Sequence, residues 1–182
     1  MERNKSLAAI LVVTAGLGLI LAGCGKSSSK NANPSSKTSM QNPTKGKTAK
    51  EALISNDNLW YMNGSINYKS KTGIDAYQFN RHNQTVTIYS VSKIYKTYKD
   101  AKKANDLDKQ GTLKYSFKNK SANNPVIYMK GKLSDIPMDQ TVSVRSKVSG
   151  KYRAANLKVS GFKVVRSLDN DDAKQVLVTP GN

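Results

Sequence analysis

The chain has 182 residues, 30 Lys+Arg against 12 Asp+Glu, a formal net charge of +18, one cysteine and one histidine. A single cysteine excludes an intramolecular disulfide framework, and one histidine beside it leaves no ligand set for a transition-metal centre. Arginine stands only at positions 3, 81, 145, 153 and 166. The lysine-dominated excess therefore points to diffuse attraction toward an anionic surface rather than a shaped bidentate site. A solvated surface with no dedicated partner would have the same composition.

The chain opens with a short basic start (Arg3, Lys5) and an apolar run from Leu7 to Ala22. Small residues follow, in the string Leu21-Ala22-Gly23-Cys24. Charged start, apolar middle and small residues at a cleavage point are the layout of a secretory signal. The run is 16 residues long, short of the roughly 20 needed to span a bilayer as a permanent helix.

Leu-Ala-Gly-Cys resembles the lipobox of bacterial lipoproteins of the Gram-positive type. The resemblance implies cleavage after residue 23, a diacylglyceryl group on the Cys24 sulfur, and a location on the extracytoplasmic face of the cell membrane. Two acyl chains hold a protein stably at a bilayer where one holds it marginally. A lipidated Cys24 offers no thiol for a metal or a nucleophile.

Residues 25–50 contain no aromatic and no acidic residue, are rich in Ser, Asn, Thr and Lys, and include Pro34 and Pro43. Such a segment buries too little to offset its ordering entropy, which predicts a disordered basic linker. As a flexible coil it would span about 30 Å. Its lysines (26, 30, 37, 45, 47 and 50) would each contribute up to about 1 kcal/mol against an anionic leaflet.

Residues 51–182 read as one β-domain. Trp60, Met62, Ile66 and Tyr68 alternate with polar residues, which predicts a half-buried strand over 59–69. Lys71-Thr72-Gly73 predicts a turn, followed by strands over 74–79 and 85–91, with a turn at 80–83. The alternation lapses after Tyr95, and residues 99–106 read as a short polar helix or structured loop. Leu113, Tyr115 and Phe117 give the cleanest alternation in the chain. Further strands are expected over 126–130, 141–147, 157–165 and 176–178, with a turn of helix at 169–174. Gly64, Gly131 and Gly161 suggest bends or bulges in a closing sheet.

The expected fold is mainly β, a small antiparallel barrel or sandwich with at most one or two short helices. It resembles both lipocalin-like domains, with Trp60 on the first strand and alternating hairpins, and OB-type barrels, through Val142-Ser143-Val144 and residues 157–162.

Catalytic patterns do not converge. His82 lies in a turn, and no Gly-x-Ser-x-Gly elbow places a serine beside it. Ser90/Lys93, Ser160/Lys163 and Lys71-Thr72-Gly73 echo penicillin-binding enzymes, but in the wrong order. Asp135 with Asp139, and Asp169 with Asp171 and Asp172, read as loop and turn acids rather than a cation loop. The sequence therefore reads as non-enzymatic, with no metal and no cofactor.

The densest candidate site is a basic patch with interleaved rings: Lys93, Tyr95, Lys96, Tyr98, Lys99, Lys102 and Lys103. Aromatic platforms ringed by cations bind polyanions, although tyrosines also pack on sheets with their hydroxyls in water. The expected partners are the bilayer, through Cys24, and anionic wall polymer or phospholipid headgroups. Export argues against nucleic acid. The alternative is a carrier holding an apolar or amphipathic molecule inside the barrel. A cavity beneath Trp60 and Phe117 would favour the carrier, and a filled core with a basic exterior would favour polyanion binding.

Mass spectrometry of the mature protein should find Cys24 as residue one, carrying diacylglyceryl. Cys24→Ala should leave the membrane fraction; a variant still sedimenting with membranes would defeat the lipid-anchor reading.

Overall fold

The computed structural model describes residues 43–55 and 58–181. Cys24, the signal segment 1–23 and the linker up to residue 42 lie outside the described residues. Among those described, no helix is long and apolar enough to cross a membrane.

Eight strands run β1 (Trp60–Asn63), β2 (Ile74–Asn80), β3 (Thr85–Val91), β4 (Asp108–Phe117), β5 (Val126–Leu133), β6 (Ile136–Tyr152), β7 (Leu157–Leu168) and β8 (Asp171–Pro180). Helix α1 (Ala49–Ile54) precedes them and α2 (Tyr98–Lys103) lies between β3 and β4. Each strand pairs antiparallel with the next, and β8 returns to pair with β1 through Tyr61↔Val178, closing the barrel. This is an up-and-down meander, the strand order of lipocalin-type barrels rather than the five-stranded Greek key of OB folds.

Every strand sends alternate residues inward. Trp60, Met62, Tyr77, Phe79, Val86, Ile88, Leu113, Tyr115, Ile127, Met129, Val142, Val144, Phe162, Val164 and Leu177 form one buried cluster. Trp60 stacks on Phe162 at 5.9 Å between ring centroids. The interior is thus occupied by side chains.

A second apolar cluster lies outside the barrel wall. Leu59, Tyr61, Ile74, Ala76, Val91, Val159, Val176 and Val178 are covered by Ile94, Ala101 and Tyr152. This corrects the half-buried strand expected over 59–69. β1 is four residues long and buried on both faces, because the β3–β4 connection packs against its outer side. Past Gly64 the chain leaves the sheet, and Tyr68 is 56% exposed.

Turn chemistry explains a second correction. Asp169 and Asn170 take φ of 50° and 66°, as Ser134 and Asp135 take 48° and 65°. Leu168↔Asp171 and Leu133↔Ile136 pair directly across them. These are two-residue hairpin turns of the primed type, which match strand twist. Hence β8 begins at Asp171 where a turn of helix was expected, and Asp139 lies on β6 rather than sharing a loop with Asp135.

The ordered chain also starts earlier than the linker reading placed it. Thr48 caps α1: its hydroxyl accepts from the Glu51 N–H, and Glu51 Oε2 accepts from the Thr48 N–H at 2.9 Å. This capping box fixes a helix too short to be stable by propensity. Ala49, Ala52 and Leu53 are buried against the inner cluster, so α1 plugs the end of the barrel where the β2–β3 and β4–β5 connections lie. At the opposite end, Arg166 bridges Asp75 Oδ2 at 2.9 Å and donates to Gln140 Oε1 at 2.9 Å.

Gly161 needs its missing side chain. A Cβ there would meet the Leu177 carbonyl oxygen and the Val178 Cα. At Gly150 the nearest obstruction is the tip of Ile66, which can swing away. Gly161→Ala should therefore lower unfolding free energy by about 2 kcal/mol or more, while Gly150→Ala should cost about 1 kcal/mol or less. Equal denaturation midpoints for the two variants would contradict the packing described.

Candidate polyanion-binding surface

Of the seven patch residues, Lys93 lies just past β3, Tyr95 and Lys96 precede α2, and Tyr98, Lys99, Lys102 and Lys103 ride on it. A capping box sets α2: Thr97 Oγ1 accepts from the Asp100 N–H at 3.1 Å, and Asp100 Oδ2 accepts from the Thr97 N–H at 3.1 Å. Buried Ala101 and Ile94 fasten the segment to the barrel wall. The five lysines remain exposed.

The two tyrosines hold structure. Buried Tyr61 on β1 donates its hydroxyl to the Tyr95 carbonyl at 3.2 Å and accepts from the Tyr95 N–H at 3.1 Å. Burial pushes the Tyr61 phenol well above its ordinary range, so it stays a donor at any physiological pH. The Tyr95 hydroxyl donates to Asp106 at 2.8 Å, and Lys93 Nζ sits 5.2 Å from the centre of its ring. Tyr98 leans on Tyr89 at 6.2 Å. Neither ring is a free stacking platform; the patch is five lysines on a braced scaffold.

Asp106 closes that scaffold. It accepts from the Ser92 N–H at 2.9 Å and from the Ser92 hydroxyl at 2.6 Å, besides Tyr95. Burial acts to raise its pKa, but the Ser92 and Tyr95 hydrogen bonds outweigh it and hold the carboxyl below its ordinary value.

Beside Lys93 opens a groove of about 680 Å³ along the outer wall, over the second apolar cluster. Tyr68 and Lys69 of the β1–β2 loop form one side, Lys93 another, and Tyr152 and Arg153 of the β6–β7 corner a third. No residue lining it is acidic. Asp106, which faces Ser92 on its rim, has its oxygens engaged as described.

Asn67 sets the groove's width. Its amide donates to the Lys151 carbonyl at 3.0 Å, and its oxygen accepts from the Arg153 N–H at 2.8 Å. Asn63 Nδ2 further ties the loop through the Tyr68 carbonyl at 2.9 Å. The result is three cations and an exposed ring around an open, acid-free trough, a geometry suited to phosphates or other anions spaced along a chain.

No family model matches the chain, and neither do any curated protein or solved structure.

Tyr68, Lys69 and Arg153 are not distinguished as a site by the sequence, because Arg153 lies 84 residues beyond Lys69 and only folding brings the loop and the corner together. Gly64-Ser65 was the available signal: a strand cannot continue at even alternation through a flexible break, so Tyr68 need not point inward. Among the described residues no group of three or more His, Cys, Asp or Glu gathers. His82 is exposed in the β2–β3 turn, its N–H donating to Asn80 Oδ1 at 3.0 Å.

Because the folded-state Asp106 carboxyl titrates below its ordinary value, its hold is complete above that range and is lost as pH falls through the folded value. Amides of residues 95–104 should therefore exchange faster in Asp106→Asn at neutral pH, and in the native protein on strong acidification. Unchanged exchange in Asp106→Asn would show that apolar packing alone holds the segment.

Proposed function

We propose that the protein is a membrane-anchored extracytoplasmic lipoprotein, held through Cys24, whose barrel is a non-enzymatic binding module for anionic wall polymer. The observation that carries this reading is the groove between Tyr68, Lys69, Lys93 and Arg153, which has no acid in its lining. The lysines of α2 extend the positive surface beside it. Such contacts would attract a polyphosphate-type chain without reading its sequence, as lysine point charges do.

The carrier reading has less support. The inner positions a ligand would need are filled by Trp60, Tyr77, Phe162, Leu113 and Met129, each 1% exposed or less. A bound apolar molecule would have to displace a packed core, at about 3–5 kcal/mol for each large side chain evicted.

An exposed charge contact contributes about 0.2–1 kcal/mol. Reversing three (Lys69→Glu, Lys93→Glu, Arg153→Glu) should weaken retention on poly(glycerol phosphate) by about tenfold or more at low salt. Native retention should itself fall steeply as salt rises. Salt-insensitive retention, or a triple variant that binds like the native protein, would sink this assignment.

A further inference from the structure

The acids of the barrel are segregated along its axis, whereas lysines stand at both ends. Because strand order is sequential, the β2–β3, β4–β5 and β6–β7 connections share one end with α1, the last folding back along the outer wall, and the β1–β2, β3–β4, β5–β6 and β7–β8 connections share the other. At the α1 end stand Lys45, Lys47, Lys50, Arg81, Lys118 and Lys120. Glu51 is the only acid there among the described residues, and its carboxylate caps the helix by accepting from the Thr48 N–H and hydroxyl. Asp57 lies outside the described residues. At the far end gather Asp75, Asp108, Asp135, Asp169, Asp171 and Asp172.

The same end receives the incoming chain. Pro43 and Thr44 run into α1, and Lys147 of β6 donates to the Thr44 and Lys47 carbonyls at 3.5 and 3.4 Å, fixing where the tether arrives. Between α1 and β4 is a cleft of about 400 Å³ lined by Lys50, Ile54, Arg81, Tyr115 and Phe117, with no carboxylate. Lys50 Nζ lies 4.4 Å over the Phe117 ring. Cations rimming an apolar floor suit an anionic lipid headgroup at the boundary between water and acyl chains.

We infer that the α1 end is a membrane-docking face for anionic phospholipid. The occupant follows from charge complementarity and from the lipid on Cys24, since the chain that follows Cys24 enters the barrel through Pro43 and Thr44 at this end. A lipid anchor holds the chain at the bilayer, and a basic face beside it adds attraction to anionic headgroups. The inference rests on the anchoring part of the function proposed above, and not on the groove.

The mature chain, lipidated at Cys24 so that an introduced cysteine is the only free thiol, is placed in nanodiscs containing one-third phosphatidylglycerol. A fluorophore is attached through Ser121→Cys in the β4–β5 connection or Asp172→Cys at the far end. Headgroup-spin-labelled lipid should quench the 121 label at least threefold more than the 172 label. That preference should disappear in neutral nanodiscs, in high salt, and in Lys45→Glu/Lys118→Glu/Lys120→Glu. Equal quenching at both positions, or a preference that persists in neutral lipid, overturns the docking face. A chain that does not associate with nanodiscs at all overturns the anchoring on which it rests, whereas loss of polymer retention alone leaves docking untouched.

Discussion

The barrel's filled interior is the constraint from which its other properties follow. Trp60 on Phe162, Phe79 edge-on to Tyr115, and Tyr115 edge-on to Phe117 pack rings from β1, β2, β4 and β7 into one cluster. There is no disulfide to relieve this cluster of its task, since the only cysteine lies upstream of the domain. The close approach of β7 and β8 at Gly161 belongs to the same requirement: the sheet must curve tightly enough for fifteen or so side chains to meet, and a Cβ there would push the wall outward. With its inside committed to stability, the molecule has only its outer wall and its two ends for recognition.

That outer wall is itself half occupied. β1 closes the barrel with only four residues, and a strand that short contributes few ladder bonds. The β3–β4 connection compensates by covering it. Ile94 and Ala101 bury against the wall, while the Tyr61 hydroxyl both donates to and accepts from the backbone of Tyr95. Asp106 then pins the two ends of the connection together through Ser92 and Tyr95. The lysine-bearing α2 is consequently a rigid outwork of the barrel, and the groove beside it has fixed walls.

Fold class was legible because alternation is a local property. Residues 74–79, 85–91 and 113–117 alternate as strands do, and each is one. What escaped reading depended on distant contacts. Nothing near β1 reveals that a segment 30 or more residues later will bury its second face. The start of the ordered chain was hidden for a different reason: composition dominates a 26-residue window, while a helix of six residues needs only Thr48, Glu51 and three apolar contacts. Asp169-Asn170 was legible in principle, since side chains that tolerate positive φ at a strand boundary favour a primed hairpin over a helical turn. At the candidate site, Lys93 was found by its local density of charge. Tyr68, Lys69 and Arg153 joined it only on folding.

Net charge alone does not separate a binding surface from a solubilising one; the placement of the few acids does. Turn chemistry accounts for part of that placement. Asp135 and Asp169 occupy left-handed positions where Asn, Asp or Gly is favoured, and both primed turns fall at the end opposite α1. It does not account for Asp108, Asp171 and Asp172, which sit on exposed strand positions where lysine or threonine would serve the pleat as well. Nor does it explain the β4–β5 connection, where Asn119, Ser121 and Asn124 form the turn's hydrogen bonds and the charged residues between and beside them are lysines. A surface whose only task was solubility would gain from mixing signs, because interspersed charges repel less than a block of one sign. The barrel instead keeps its α1 end almost free of acid and accepts that self-repulsion, which is the pattern expected when an anionic surface supplies the missing counter-charge.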